Sequence, residues 1–336
     1  MKNVCKFALT VMLVVGISAS SAFISTASAA PGFPRGPIRM LVPFGAGGTT
    51  DILARVVAAE MARELGVSVV VENMGGGGGA IALNTLANAR PDGQTLVMTT
   101  SGPAVQTPHH SPVGFTNREF APVAQLAIVP NILNVHRDSG ITDIDGFLEY
   151  ARNNRDNGGT TISVSSFGIS QHLTMENFAM MLDEPGLFSI INFEGGAQAR
   201  AALMGRQVSA AMNMISEVIP NMLEGEFIPL AITSSERSEM LPDVPTFLEL
   251  GYDIDMVVWT GVAAPAGTPE EIIVLLSDLL EEIMQIPSIV EQMKTIDLPI
   301  AFAPHNEFYE MWQTDFEVNG ELIRAIRERA EAEASL

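Results

Sequence analysis

The sequence predicts an α/β protein of about two domains, and three observations carry that expectation. Short apolar runs alternate with stretches of helical spacing along nearly the whole chain, the rhythm of parallel strands covered by helices. One junction, an apolar run ending in a small polar loop before a helix, recurs at residues 38–51 and 160–172. Finally, 336 residues that are 47% hydrophobic and 17% charged can fill two cores of ordinary size.

Lys2 and Lys6 precede an apolar run from Phe7 to Ile17 and then small residues ending Ala27-Ser28-Ala29. This is the pattern of a secretory signal peptide with cleavage after Ala29, and its apolar run is too short to span a membrane. Removing residues 1–29, which hold two Lys and no acid, takes the formal charge from -21 to -23. Such a field excludes nucleic acid and anionic membrane surfaces as partners. The sole cysteine, Cys5, precedes the apolar run, so the mature chain is expected to carry no thiol, disulfide or lipid anchor of that type. A soluble exported protein is the expectation.

The first junction is the most informative stretch. Ile38–Val42 reads as a buried strand, Pro43 with Gly45, Gly47 and Gly48 as a tight loop, and Ile52, Leu53, Val56, Val57, Met61 and Leu65 as a helix face. The first N–H groups of a helix have no internal partner and carry the positive end of its dipole, so glycines that admit a ligand make an anion site. Capture of a carboxylate by backbone is the functional reading; an ordinary connection capped by Thr49 or Thr50 is the plain one. A P-loop is excluded because the loop has no Lys, and a dinucleotide fingerprint fails at Thr50. Asp51, in the first helical turn, would repel an anion placed against it and reads as a loop organiser or hydrogen-bond acceptor.

Further along, Val67–Glu72 is a β-type run, followed by five glycines, Gly75–Gly79, that suit a backbone nest, a mobile linker or a close helix–sheet contact. Helical spacing over Ile81–Leu86 ends at the turn Arg90-Pro91-Asp92-Gly93, and Thr95–Thr100 is the next strand. Residues 101–120 read as loop. Phe120–Val135, interrupted by Pro122 and Pro130, suits a strand that leaves one domain for the next. A helix begins at Asp143. Strands follow at 160–164, 187–193 and 208–214, each leading through a small polar loop into a helix, the last opened by Ser216 and Pro220. Ile228–Thr233 is another strand, Leu241–Thr246 a rigid turn, and Met256–Ala263 a strand whose Trp259 is either cleft wall or core. A long amphipathic helix starts at Glu270, and the charged stretch 307–333 reads as a solvated helix. The 18 methionines read as core fillers.

As a set, Val42–Asp51, Val71-Glu72-Asn73, Arg90–Gly93, Gly168–His172, Leu241–Thr246 and Ala264–Pro269 resemble the solute receptors of tripartite tricarboxylate transporters, the Bug family. The resemblance runs in order over essentially the whole mature chain. It implies a periplasmic binding protein of type II-like fold: two α/β domains joined by crossing strands, with the ligand cleft between them. The implied division is residues 33–125 plus 235–336 as one domain and 126–234 as the other. It further implies a monomer that captures a small organic carboxylate for the membrane subunits of such a transporter, without cofactor, metal or catalytic residues. The implied ligand-binding residues are Pro43, Phe44, Gly45, Ala46, Gly47, Gly48 and Asp51 from the first loop. From the other segments come Ser166, Gly168, Ser170, Gly195, Asn213 and Trp259. The chain departs from the family at Phe193-Glu194-Gly195, where Tyr-Lys-Gly is common, at Asn213-Met214, where Asp-Asn is, and at Met74-Gly75-Gly76, where Arg-Pro-Gly is. With an acid in place of the Lys, a citrate-like tricarboxylate is not the expected ligand, provided Glu194 faces the cleft rather than solvent, Arg200 or Arg206.

Two rivals remain on sequence grounds. An exported α/β hydrolase would need Ser or Thr as nucleophile, and Gly168-Ile169-Ser170-Gln171-His172 lacks the last glycine of a nucleophile elbow. The histidines, at 109, 110, 136, 172 and 305, have no metal-ligand spacing, and His172 reads as a helix-start residue more readily than as a base. An exported sensor that binds the same ligand and serves no transporter needs the same cleft.

Overall fold

The structure, a computed structural model, describes residues 32–155 and 159–334, with side chains of the last helix described to residue 328. The expected leader, its cleavage after Ala29 and Cys5 lie outside the described residues. In chain order the elements are β1 (Ile38–Val42), α1 (Thr49–Leu65), β2 (Val69–Asn73), α2 (Ala80–Ala87), β3 (Thr95–Thr100), α3 (Thr107–His110) and β4 (Phe120–His136). There follow α4 (Ile144–Asn153), β5 (Thr160–Val164), α5 (Ser170–Met181), β6 (Phe188–Asn192), α6 (Gly196–Met204), β7 (Ala210–Met214), α7 (Ile215–Leu223) and β8 (Phe227–Ile232). The chain ends with β9 (Val257–Pro265), α8 (Glu270–Met284), α9 (Pro287–Thr295), β10 (Ile300–Pro304) and α10 (His305–Ala334).

The organising strand is β4, 17 residues long and shared by two half-sheets. From Phe120 to Pro130 it pairs antiparallel with β9, and from Asn131 onward with β7 and β8. The strand order β2-β1-β3-β9-β4-β7-β5-β6 therefore runs through it, with β10 and β8 also bonded to β4. The sheet expected to be parallel is mixed: β1, β2 and β3 are parallel neighbours, as are β5, β6 and β7, but β4, β9 and β10 run against their partners. Pro122 falls at a register shift and Pro130 at the point where the strand changes partners, places where a missing ladder donor is tolerated. The chain recrosses late. Phe247 and Ile254 are buried with Phe147, Phe178 and Phe188 in the second half, and the first half-sheet is re-entered only at Val257.

Two stretches differ from the sequence reading. Residues 102–110 are not loop but tight helical turns, with Gly102–Thr107 buried, because Gly102 has no Cβ to collide with Ile169 and Gln106 bonds Asn319 at 3.0 Å. The terminal helix α10 is not merely a solvated face: Phe308 and Trp312 are fully buried against Trp259, Phe120 and Phe115. A charged helix can still carry a narrow apolar stripe, which the abundance of Glu and Arg obscures.

Candidate functional site

The loop between β1 and α1 is shaped by Asp51. Its carboxylate accepts from Gly47 N at 2.9 Å, from Asn73 Nδ2 at 2.9 Å and from Arg55, while Asn73 also donates to Phe44 O at 3.1 Å. Burial pushes the Asp51 acid up, but Arg55, the Gly47 N–H and Asn73 outweigh it and hold the carboxyl below its ordinary range. The Gly47 N–H is thus spent on Asp51, and its φ of 85° is what glycine supplies to the turn. The loop is an organised cradle whose outer tip, Ala46 and Gly47, is exposed.

Three other strand–loop–helix junctions, β5–α5, β6–α6 and β7–α7, meet it from the second half-sheet. Gly45 N donates to Glu194 O at 3.2 Å, the Thr49 and Ser216 hydroxyls bond at 2.7 Å, and His110 Nε2 donates to Gly168 O at 2.6 Å. Between the junctions lie two small voids. One of about 100 Å³ is lined by Pro43, Phe44, Gly76–Gly79, Ser165, Ser166, Phe193 and Glu194. The other, about 10 Å³ or the room of one water, is bounded by Phe44, Gly48, Thr49, Thr50, Ser165, Gly196, Met214 and Glu217. A cavity of about 720 Å³ lies elsewhere, at Ile128, Pro130, Ser234, Val257, Met293 and Leu298, with mostly apolar walls and no converging helix starts.

At the floor sits Glu217, third residue of α7 as Asp51 is of α1. It is 7% exposed, and it accepts from Met214 N at 3.3 Å and Asn213 Nδ2 at 3.4 Å and faces the Thr49 N–H. A Cβ on Gly196 would overlap the Glu217 carboxylate, so a side chain at the start of α6 would displace that carboxylate. Burial pushes the Glu217 carboxyl up to about 7, against the pull of Asn213, Met214 N, Arg200 and Thr49 N.

The structure brings Pro43, Phe44, Gly48 and Ser166 to the void walls and sets Gly45, Gly195 and Asn213 directly behind them. Gly168 and Ser170 are spent locally, on His110 and Asn131. Trp259 is not at the cleft: its indole donates to Asp315 Oδ2 at 2.7 Å and packs edge-on to Phe308 and tilted against Trp312 under α10. Glu194 is exposed at the rim, and neither Arg200, which donates to Glu217 O, nor Arg206, which pairs with Asp138, holds it. The five glycines form a wall whose last four residues, Gly76–Gly79, have positive φ, with Gly79 pressed on Pro103 and Gly78 O held by Thr107, a close contact and not a linker. His172 is buried beside Phe167, and desolvation, then the charge of His110, depress it to about 4, so it is neutral near pH 7. Among the described residues no group of three His, Cys, Asp or Glu is placed to hold a metal. Sequence reasoning passed over Ser165, Gly196 and Glu217, and took Thr49 for a helix cap, a place that Gly48 fills. The signal for Glu217 was an acid in the first turn after a strand, the pattern read at Asp51.

A mixed α/β chain whose half-sheets share a strand and whose helix starts converge on a closed cleft is, by class, a solute-binding protein. The chain belongs to the family described as "Tripartite tricarboxylate transporter family receptor", whose model matches residues 53–327. That is a family of periplasmic receptors and not of enzymes. Protein BugT of Bordetella pertussis is 33% identical over 284 residues, 83% of this chain and 86% of the relative. The structure of the periplasmic binding protein BugD superposes with a TM-score of 0.80 at 29% identity, covering 88% of this chain and 98% of that one. MatC from Rhodopseudomonas palustris, solved with bound malate, gives 0.80 at 27% identity, covering 87% and 100%. No helix among the described residues is long and apolar enough to cross a membrane.

Proposed function

We propose that this chain is a periplasmic receptor that captures a small organic carboxylate in the cleft and delivers it to the membrane subunits of a tripartite tricarboxylate-type transporter. The observation that carries the reading is the convergence of the α1, α6 and α7 starts, from both half-sheets, on one small polar void. The positive ends of these helices favour an anionic oxygen there, and MatC, solved with bound malate, holds a small carboxylate. The ligand contacts we assign are the Phe44–Thr50 backbone, with Ser165, Ser166, Gly195 and Gly196 opposite. Export rests on the leader, with cleavage after Ala29. The two domains hinge where β4 changes partners near Pro130 and where the chain recrosses, between the boundary at 234/235 read from sequence and Val257.

A thermal-shift screen of mono-, di- and tricarboxylates tests it. Ligand at about 100 times its dissociation constant stabilises a folded-state binder by about 2.7 kcal/mol, a shift easily read. Hits recovered unchanged are expected; hits converted into new products would refute a receptor.

A further inference from the structure

We propose that Glu217 is a proton-sharing partner of the bound ligand: a carboxylate enters the cleft only beside a neutral Glu217, so binding draws a proton from solvent wherever Glu217 is ionised beforehand. This rests on the carboxylate reading above. The Asn213 amide, the Met214 N–H and the Thr49 N–H, which a ligand anion would use, already point at the Glu217 carboxylate. The protein's own acid occupies the junction of three helix starts, and Gly196 is bare to make room for it. The void beside it holds about one water, so a ligand oxygen there is a direct neighbour of Glu217. Two carboxylates in such contact do not both stay ionised. The proton goes from solvent to a Glu217 oxygen, whose O–H donates to the ligand carboxylate; no bond of the ligand is made or broken.

The surroundings leave Glu217 as the group that titrates. On α1, Asp51 is held ionised by Arg55, Gly47 N and Asn73. On α6, Arg200 faces Glu217 but donates to its main-chain oxygen at 2.6 Å, and Glu194 before that helix is exposed at the rim. Strands β7 and β8 carry no ionisable side chain, and that of β4, His136, lies at its far end. Burial already holds the acid near neutrality without ligand.

The test is calorimetry on the mature chain with acetate, malate, adipate and citrate, at pH 6 and pH 8, each in two buffers of different ionisation enthalpy. With a carboxyl near 7, uptake close to one proton at pH 8 and close to none at pH 6 is expected, with affinity about tenfold weaker at pH 8. Glu217→Gln should bind at both pH values with neither proton uptake nor pH slope. Binding by wild type without proton uptake, or uptake that persists in Glu217→Gln, overturns this inference and leaves the carboxylate reading standing. Absence of uptake on wild type overturns the inference even if the variant does not fold. Silence from all four ligands at pH 6 overturns both.

Discussion

At Glu217 a buried carboxyl is held in a state that costs the fold something. Its acid, ordinarily at 4.5, titrates near 7 in the folded chain because burial penalises the charge. Between those values the folded state keeps a proton that the unfolded chain has released, so stability falls as pH rises from 4.5 to 7 and stays low above. The full cost is roughly 3 kcal/mol. Glu217→Gln removes it: urea unfolding should show the variant gaining roughly that amount over wild type at pH 8 relative to the same comparison at pH 5. An equal difference at both pH values would show the carboxyl to be unperturbed. The sequence pointed instead to Glu194, because the family resemblance replaces a Lys there. Both acids follow strands, and nothing local says which is buried; that depends on Gly48 and Gly196 arriving from two different junctions.

The β1–α1 junction is the element whose reading from sequence and whose structure agree in most detail. A strand, a glycine loop and a helix start were legible because each follows from local spacing and turn chemistry, and the role of Asp51 as loop organiser is what its three partners show. What was hidden was that the Gly47 N–H serves the loop, since that depends on Asn73 and Arg55 holding the carboxylate in place. Removing a buried ionised acceptor leaves its donors unpaired at about 1.5–3 kcal/mol for the charged bonds. Asp51→Ala should therefore lower stability by about that range and free the Gly47 amide, which hydrogen exchange would show as a loss of protection confined to residues 45–52. Protection unchanged there would mean that the loop is held by its glycines alone. The element read least well was α10, where Phe308, Trp312 and Phe316 looked like scattered apolar residues in a charged tail.

Across the whole molecule, the half-sheets share β4, and contacts between their loops span the cleft; under the proposed hinge motion these contacts would set how far it closes. The resemblance gave this architecture, whereas periodicity alone gave only α/β; long-range antiparallel pairing with β9 leaves no local mark. One closing contact is open to a sharp test. His110 donates to Gly168 O, and the imidazole lies where a Cβ on Gly168 would be, with Gly168 at φ 72°. His110→Ala loses one hydrogen bond of about 1 kcal/mol, which weakens closure, and with it ligand affinity, roughly fivefold. Gly168→Ala is worse, because the new methyl meets the ring and the left-handed backbone resists it. Combining the two removes the collision, so the double variant should bind better than Gly168→Ala alone, a coupling of the kind that only residues in contact show. Small-angle scattering with a bound carboxylate should follow the same order, the particle being most open in Gly168→Ala. If the two effects simply add, His110 and Gly168 do not meet when the cleft closes, and the hinge must be limited elsewhere, at Gly45–Glu194 or Thr49–Ser216.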